Sequence, residues 1–216
     1  MARLRFQISM SLDGFIAGPN PSEENPLGEG GMQLHQWAFA LAAWREPHGQ
    51  EGGAVNASTE VVEESLQNVG AIVMGRNMFG GGSGPWGPEP WEGWWGENPP
   101  FHKPVFVLTH HPRDPLVKDG GTTFTFATGG VESALQQALD AAGGQDVALA
   151  GGADVAQQYL RAGLIDELQI HLVPVLLGDG TRLFANLAGA EIGLECTRTV
   201  EAPDVTHLTY NVVSRR

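Results

Sequence analysis

Three segments of the chain end in residue types suited to holding an anion. Ile72-Val73-Met74-Gly75-Arg76-Asn77 is an apolar run closing on a glycine, which lets a ligand approach the backbone. The arginine that follows can fork onto a phosphate. Val107-Leu108-Thr109-His110-His111-Pro112-Arg113 gathers a hydroxyl, two imidazoles and a guanidinium. That group suits the adenosine 2′-phosphate that separates NADPH from NADH, although a solvated loop would read the same way. In Ala148-Leu149-Ala150-Gly151-Gly152-Ala153-Asp154-Val155, paired glycines stand between a strand and a helix start. The backbone N–H groups there face a pyrophosphate at a positive helix end, and Asp154 suits the helix dipole. The literal G-x-G-x-x-G at Gly82–Gly87 follows no strand and contains Pro85, so it reads as loop.

These segments matter more because positive charge is scarce. The 216 residues carry 12 Lys and Arg against 25 Asp and Glu, a net charge of −13. An acidic surface of this kind disfavours nucleic acid as a partner. The single Cys196 excludes an internal disulfide and a cysteine-rich zinc site, and His110-His111 has no clear third ligand, so no metal is expected. The N-terminal residues run into a strand rather than the apolar core of a secretory signal, and no stretch is apolar enough for a membrane span. The expected location is the cytoplasm.

The elements positioning the three segments alternate. Strands are expected at 3–10, 71–74, 105–109, 122–127 and 147–150, with helices at 32–44, from Ser58 or Thr59 to Leu66, at 131–139, and after Gly152. From Leu168 onward the pattern turns to strands, at 168–175, 191–200 and 206–214. Strand-helix alternation followed by a run of strands implies one α/β domain over 1–216. Its central mixed sheet would be mostly parallel, with antiparallel strands at the C-terminus. A Gly/Trp/Pro-rich insert at 80–104 holds four of the six tryptophans.

In order, five motifs resemble the dihydrofolate reductase superfamily, and most closely the reductase domain of riboflavin-biosynthesis deaminase-reductases. They are Ser9-Met10-Ser11-Leu12-Asp13-Gly14-Phe15-Ile16-Ala17-Gly18, Val73–Phe79, Val105–Thr109, Ala150-Gly151-Gly152 and Leu164–Gly180. The resemblance implies a three-layer fold, a homodimer, and NADPH lying across the strand ends. On that basis Gly75, Arg76 and Asn77 would contact phosphates, and Thr109 and His110 would lie near the 2′-phosphate. Ala150, Gly151, Gly152, Ala153, Asp154 and Val155 would line the pyrophosphate, with Ser9, Ile16 and Ala17 flanking the nicotinamide. The small-molecule substrate, a heterocyclic or carbonyl compound, would meet Asp13, Trp37, Leu177 and Gly178.

Departures from the family narrow this. Dihydrofolate reductases carry a carboxylate on the first helix, whereas Met32–Trp44 has no acid, so folate is not the expected substrate. The zinc cysteines of a deaminase half are absent. Asp13 reads better as a turn former before Gly14 than as a proton donor, and Trp37 as core rather than pocket. His35 offers a weaker proton donor still. The insert tryptophans suit a lid over a flat ring or a dimer contact equally. A non-catalytic nucleotide-binding or interaction protein of the same fold stays open beside the reductase.

Overall fold

A computed structural model describes residues 2–214. Its strands are β1 (Leu4–Ser11), β2 (Phe15–Ala17), β3 (Val69–Gly75), β4 (Pro104–Leu108), β5 (Leu116–Val117), β6 (Thr123–Ala127), β7 (Asp146–Gly151), β8 (Glu167–Val173), β9 (Thr181–Arg182), β10 (Ile192–Ala202) and β11 (Val205–Ser214). The α-helices are α1 (Gln36–Phe39), α2 (Ala42–Arg45), α3 (Ala57–Leu66), α4 (Arg76–Phe79), α5 (Gly130–Ala141) and α6 (Ala153–Arg161). The sheet is mixed and mostly parallel, with antiparallel strands from the C-terminus, the expected α/β class.

The chain divides into two compact units. One comprises the residues up to Phe6 with Asn68–Ile165; the other comprises Gln7–Gln67 with the residues from Asp166. In the first body the strand order is β1-β7-β3-β4-β6-β5. All neighbours are parallel except the short β5, which runs antiparallel to β6. Strand β3 buries its last five residues, as expected of a continuous apolar run in a sheet covered on both faces. Ile72, Met74, Phe79, Val105, Val107, Phe124 and Phe126 form the core.

The second body orders its strands β10-β11-β8-β1, with β10, β11 and β8 antiparallel, and a small β2-β9 ladder beside them. Its core joins Leu34, Trp37, Ala38 and Leu41 to Val173 and Val205.

Two local expectations are corrected. The single helix over 32–44 is broken: Leu41 is extended, with ψ 142°, and forms a parallel bridge with Ala54. Backbone bonds from Ala54 N–H to Ala40 and from Ala42 N–H to Ala54 replace the helical ones. Gly53 presses so close that a Cβ there would lie 2.5 Å from the Ala42 nitrogen. Helical periodicity reads side chains and cannot register a distant backbone taking over the hydrogen bonds. Helix α3 is capped by Asn56 rather than Ser58 or Thr59. The Asn56 side chain accepts from Ser58 N–H, and Thr59 Oγ1 accepts from Asn56 N–H. Ser58 is thereby left to turn inward, where it is buried.

Candidate functional site

The first body aligns the carboxyl ends of four adjacent parallel strands. Gly75 of β3 pairs with Leu108 of β4, Leu108 with Ala127 of β6, and Met74 of β3 with Gly151 of β7. All three sequence-identified segments therefore leave the sheet at one edge, where open α/β sheets receive ligands. The turn after β6, Thr128-Gly129, which leads into α5 at Gly130, joins the same edge. It escaped the sequence reading because no basic or hydroxyl cluster follows the glycines.

At Gly151 and Gly152 an added Cβ would meet nothing within 4 Å, so this stretch of backbone faces open space; their mutual peptide bond is cis. Helix α6 starts there with Gly152 as its N-cap and Asp154 exposed in its first turn. Gly75 is different: a Cβ would fall 2.6 Å from Val155 Cγ2, so glycine is what lets β3 and α6 close together.

Arg76 follows, buried beneath the insert. Its guanidinium carbon stands 3.1 Å from the Trp86 ring centre. Nε donates to Gly80 O at 3.1 Å and Nη2 to Gly81 O at 2.9 Å, while Nη1 is buried with no partner. Burial, and then the charge of Arg113, lower the Arg76 pKa. A buried guanidinium nitrogen without an acceptor, beside a second cation, has the chemistry to pair with an anion. Arg113 lies 5.0 Å from the same Trp86 ring and donates to Trp91 O. Asn77 and His110 are exposed, whereas Thr109 is buried and its Oγ1 accepts from His111 N–H.

The insert is fastened to its own body. Trp86 Nε1 donates to His111 O, Trp91 Nε1 to Phe79 O and Trp94 Nε1 to Met78 O. Trp95 stacks on Phe124 and meets Phe101 edge-on. Lys118, almost fully buried, reaches Glu92 at 2.6 Å and Glu97 at 3.0 Å. These pairs raise the Lys118 pKa and lower that of Glu92. Lys118→Met is expected to speed amide hydrogen exchange across residues 91–98 and leave β3 and β7 protected, a pattern that exchange mass spectrometry resolves.

The second body holds the remaining sequence-identified residues in two groups. Asp13 Oδ1 accepts from Ser11 Oγ at 2.6 Å and from Leu177 N–H at 3.2 Å; Oδ2 accepts from Gly178 N–H at 2.7 Å. The Ser11 hydroxyl first, and then the two backbone amides, lower the Asp13 pKa. Asp13 is thus a carboxylate clamp joining the turn after β1 to the segment after β8. The Leu177 and Gly178 amides are spent on it. Ile16 is buried beside the half-exposed Ala17 in β2. Ser9 Oγ accepts from Trp37 Nε1 at 3.1 Å, and both residues are buried.

Trp37 leads to residues the sequence reading did not single out. Its ring lies 4.8 Å from that of His171 and 4.9 Å from that of His207. The two imidazoles meet Nδ1 to Nδ1 at 2.7 Å, and His207 Nε2 bonds Ser58 Oγ at 2.9 Å. A histidine set between the apolar Ile170 and Leu172 of β8 was the available signal. Among the described residues no cluster of His, Cys, Asp and Glu is arranged to hold a metal, and no helix is long and apolar enough to cross a membrane.

Parallel strands ending together at one edge, with glycine turns leading into helices, define a protein of the mixed α/β class. The chain belongs to the RibD C-terminal domain family, whose model matches residues 2–208. Solved structures share the fold. A protein from Shewanella sp. PV-4 assigned to riboflavin biosynthesis is 22% identical over 98% of this chain and 99% of its own, with a TM-score of 0.61. Acinetobacter baumannii RibD is 17% identical with a TM-score of 0.58, and 99% of this chain matches 58% of that longer one. The riboflavin biosynthesis reductase Rib7 of Saccharomyces cerevisiae is 12% identical over 99% of this chain and 89% of its own, at 0.52. No curated protein matches the chain.

Proposed function

We propose that the protein is an NADPH-dependent reductase transferring hydride to a small heterocyclic or carbonyl compound, close in kind to the pyrimidine reductases of riboflavin biosynthesis. The observation that carries this reading is Arg76 Nη1, buried without an acceptor on the strand edge where Gly151 and Gly152 leave their backbone bare. Gly75, Arg76 and Asn77, with Ala150 to Val155, would hold the phosphates. Thr109, His110 and Arg113 would meet the 2′-phosphate, for which a chain of net charge −13 keeps few other cations. By the family resemblance Ser9, Ile16 and Ala17 would flank the nicotinamide, which supplies the hydride when bound. Asp13, held as a carboxylate, orders the Leu177-Gly178 segment rather than donating a proton. Support comes also from relatives whose descriptions name a riboflavin biosynthesis reductase. The reading includes a homodimer in the cytoplasm, which sedimentation of the purified protein tests for assembly.

Titration of NADPH and NADH against tryptophan fluorescence tests the cofactor. NADPH is expected to bind at least tenfold tighter, about 1.4 kcal/mol. Trp86, stacked on Arg76, is placed to report it. Binding of neither nucleotide would overturn the reading in favour of an interaction protein on this fold. NADPH binding without oxidation across heterocycles and carbonyls would support a nucleotide-binding protein that lacks the reaction.

A further inference from the structure

The second body buries Ser58, His171 and His207 in one hydrogen-bonded chain, the two imidazoles being 6% and 1% exposed. The chain spans three elements: Ser58 lies in the first turn of α3, and His171 of β8 pairs directly across the ladder with His207 of β11. An apolar trio of the same volume would pack as well without the desolvation of three polar side chains, so stability alone does not account for it. Nor is the pair a metal site. Two nitrogens on one tetrahedral zinc stand roughly 3.3 Å apart, whereas these are 2.7 Å apart, a hydrogen-bond distance.

The ends of the chain differ. At His207 both ring nitrogens are engaged. At His171 only Nδ1 is, and among the described residues Nε2 has no hydrogen bond. Among the described residues Nε2 is not one of the fully buried nitrogens without a partner, so it keeps part of the small exposed remainder of His171. Trp37 lies beside this ring, and half-exposed His35 is close enough for its charge to act on His171.

Each imidazole can stay neutral in two ways. If Ser58 donates to His207 Nε2, His207 Nδ1–H donates to His171 Nδ1, and His171 Nε2 carries a proton outward. If His171 Nδ1–H donates to His207 Nδ1, His207 Nε2–H donates to Ser58, and His171 Nε2 is a bare acceptor. Both states hold the same number of protons; the first gives the Ser58 hydroxyl its acceptor, and the second uses that oxygen as an acceptor only. The outward atom can thus match either a donor or an acceptor.

We infer that His171 contacts the substrate, its Nε2 hydrogen-bonding the edge of a planar nitrogen heterocycle, with His207 and Ser58 setting which tautomer it presents. The inference rests on the reductase reading for the ligand's class and adds the residue that recognises it. Trp37 supplies a flat wall beside that nitrogen, and its own N–H is already held by Ser9. His207 and Ser58 are positioning residues.

The test uses the full chain labelled with ¹⁵N at histidine, saturated with NADPH, and titrated with uracil, 2,4-diaminopyrimidine and pterin. At least one is expected to bind and to shift the His171 Nε2 resonance, with His171 and His207 exchanging tautomers between ligands of opposite edge. In His171→Phe the affinity for that heterocycle should fall at least tenfold, and in Ser58→Ala about threefold, with NADPH affinity within twofold of wild type. Binding that leaves the His171 resonances unmoved, or no heterocycle binding while NADPH binds, overturns the inference. The resonance measurement needs no variant, so misfolding of His171→Phe does not shield it. Failure to bind NADPH with His171-dependent heterocycle binding intact overturns the reductase reading and leaves this contact standing.

Discussion

Lowering the pH from 7 toward 4 is expected to destabilise the protein steeply, against the trend its net charge would set. A chain of net charge −13 repels itself less as its charge falls, so general electrostatics favours the fold on mild acidification. The buried imidazoles act the other way. Burial first, then the neighbouring His207 and His35, depress His171 to about 3; burial first, then Arg198, depress His207 to about 4. Both sit near 6.5 in the unfolded chain. Above 6.5 neither state is charged and the neutral pair is stable. Between 6.5 and about 4 the unfolded chain takes up two protons that the folded one refuses, so stability falls with pH. The limiting slope is about 2.7 kcal/mol per pH unit for two protons. Below about 4 the folded state protonates too, and the slope eases. Urea unfolding at pH 7, 6, 5 and 4.5 checks this. A midpoint that holds steady or rises down to pH 5 would show that the pair is not refused its protons.

Phe79→Ala is expected to cost about 3–5 kcal/mol, the range for emptying an aromatic site in a packed core. Phe79 is fully buried and meets Phe124, Phe126 and Trp86 edge-on, at 5.2, 5.4 and 6.0 Å between ring centres. Its carbonyl also holds Trp91 Nε1. The cavity would lie beside Trp86, so collapse into it is expected to draw Trp86 from Arg76. The loss should therefore appear twice: as a lower unfolding midpoint by calorimetry, and as weaker NADPH binding in samples still folded at 15 °C. A stability loss with NADPH affinity unchanged would show that the arginine needs no tryptophan above it.

How much of this was legible in the sequence varied with the range of the interaction. Residues 130–141 announced their helix because Ala134, Leu135 and Ala138 bury one face of it, a periodicity contained within the element. The glycines at 75, 151 and 152 announced strand ends for the same local reason. The break at Leu41 was not legible, since its cause is Ala54, which is brought alongside by a loop. Arg76 was readable as an anion-seeking group but not as one whose Nε and Nη2 serve Gly80 and Gly81. Nor could the chain alone show that Trp86, Trp91 and Trp94 of the insert each spend their N–H on a nearby carbonyl.

By itself, then, the sequence determined the alternation of elements and the parallel sheet with its antiparallel C-terminal strands, because backbone propensity and burial pattern are properties of neighbouring residues; the family was legible through the resemblance of five ordered motifs. Tertiary structure alone decided the pairing of His171 with His207, 36 positions apart, and of His207 with Ser58, 149 apart. It likewise decided that Asp13 clamps Gly178. A hydrogen bond between side chains depends on ångström distances that only the packed core sets, and nothing in the spacing of those residues along the chain encodes them.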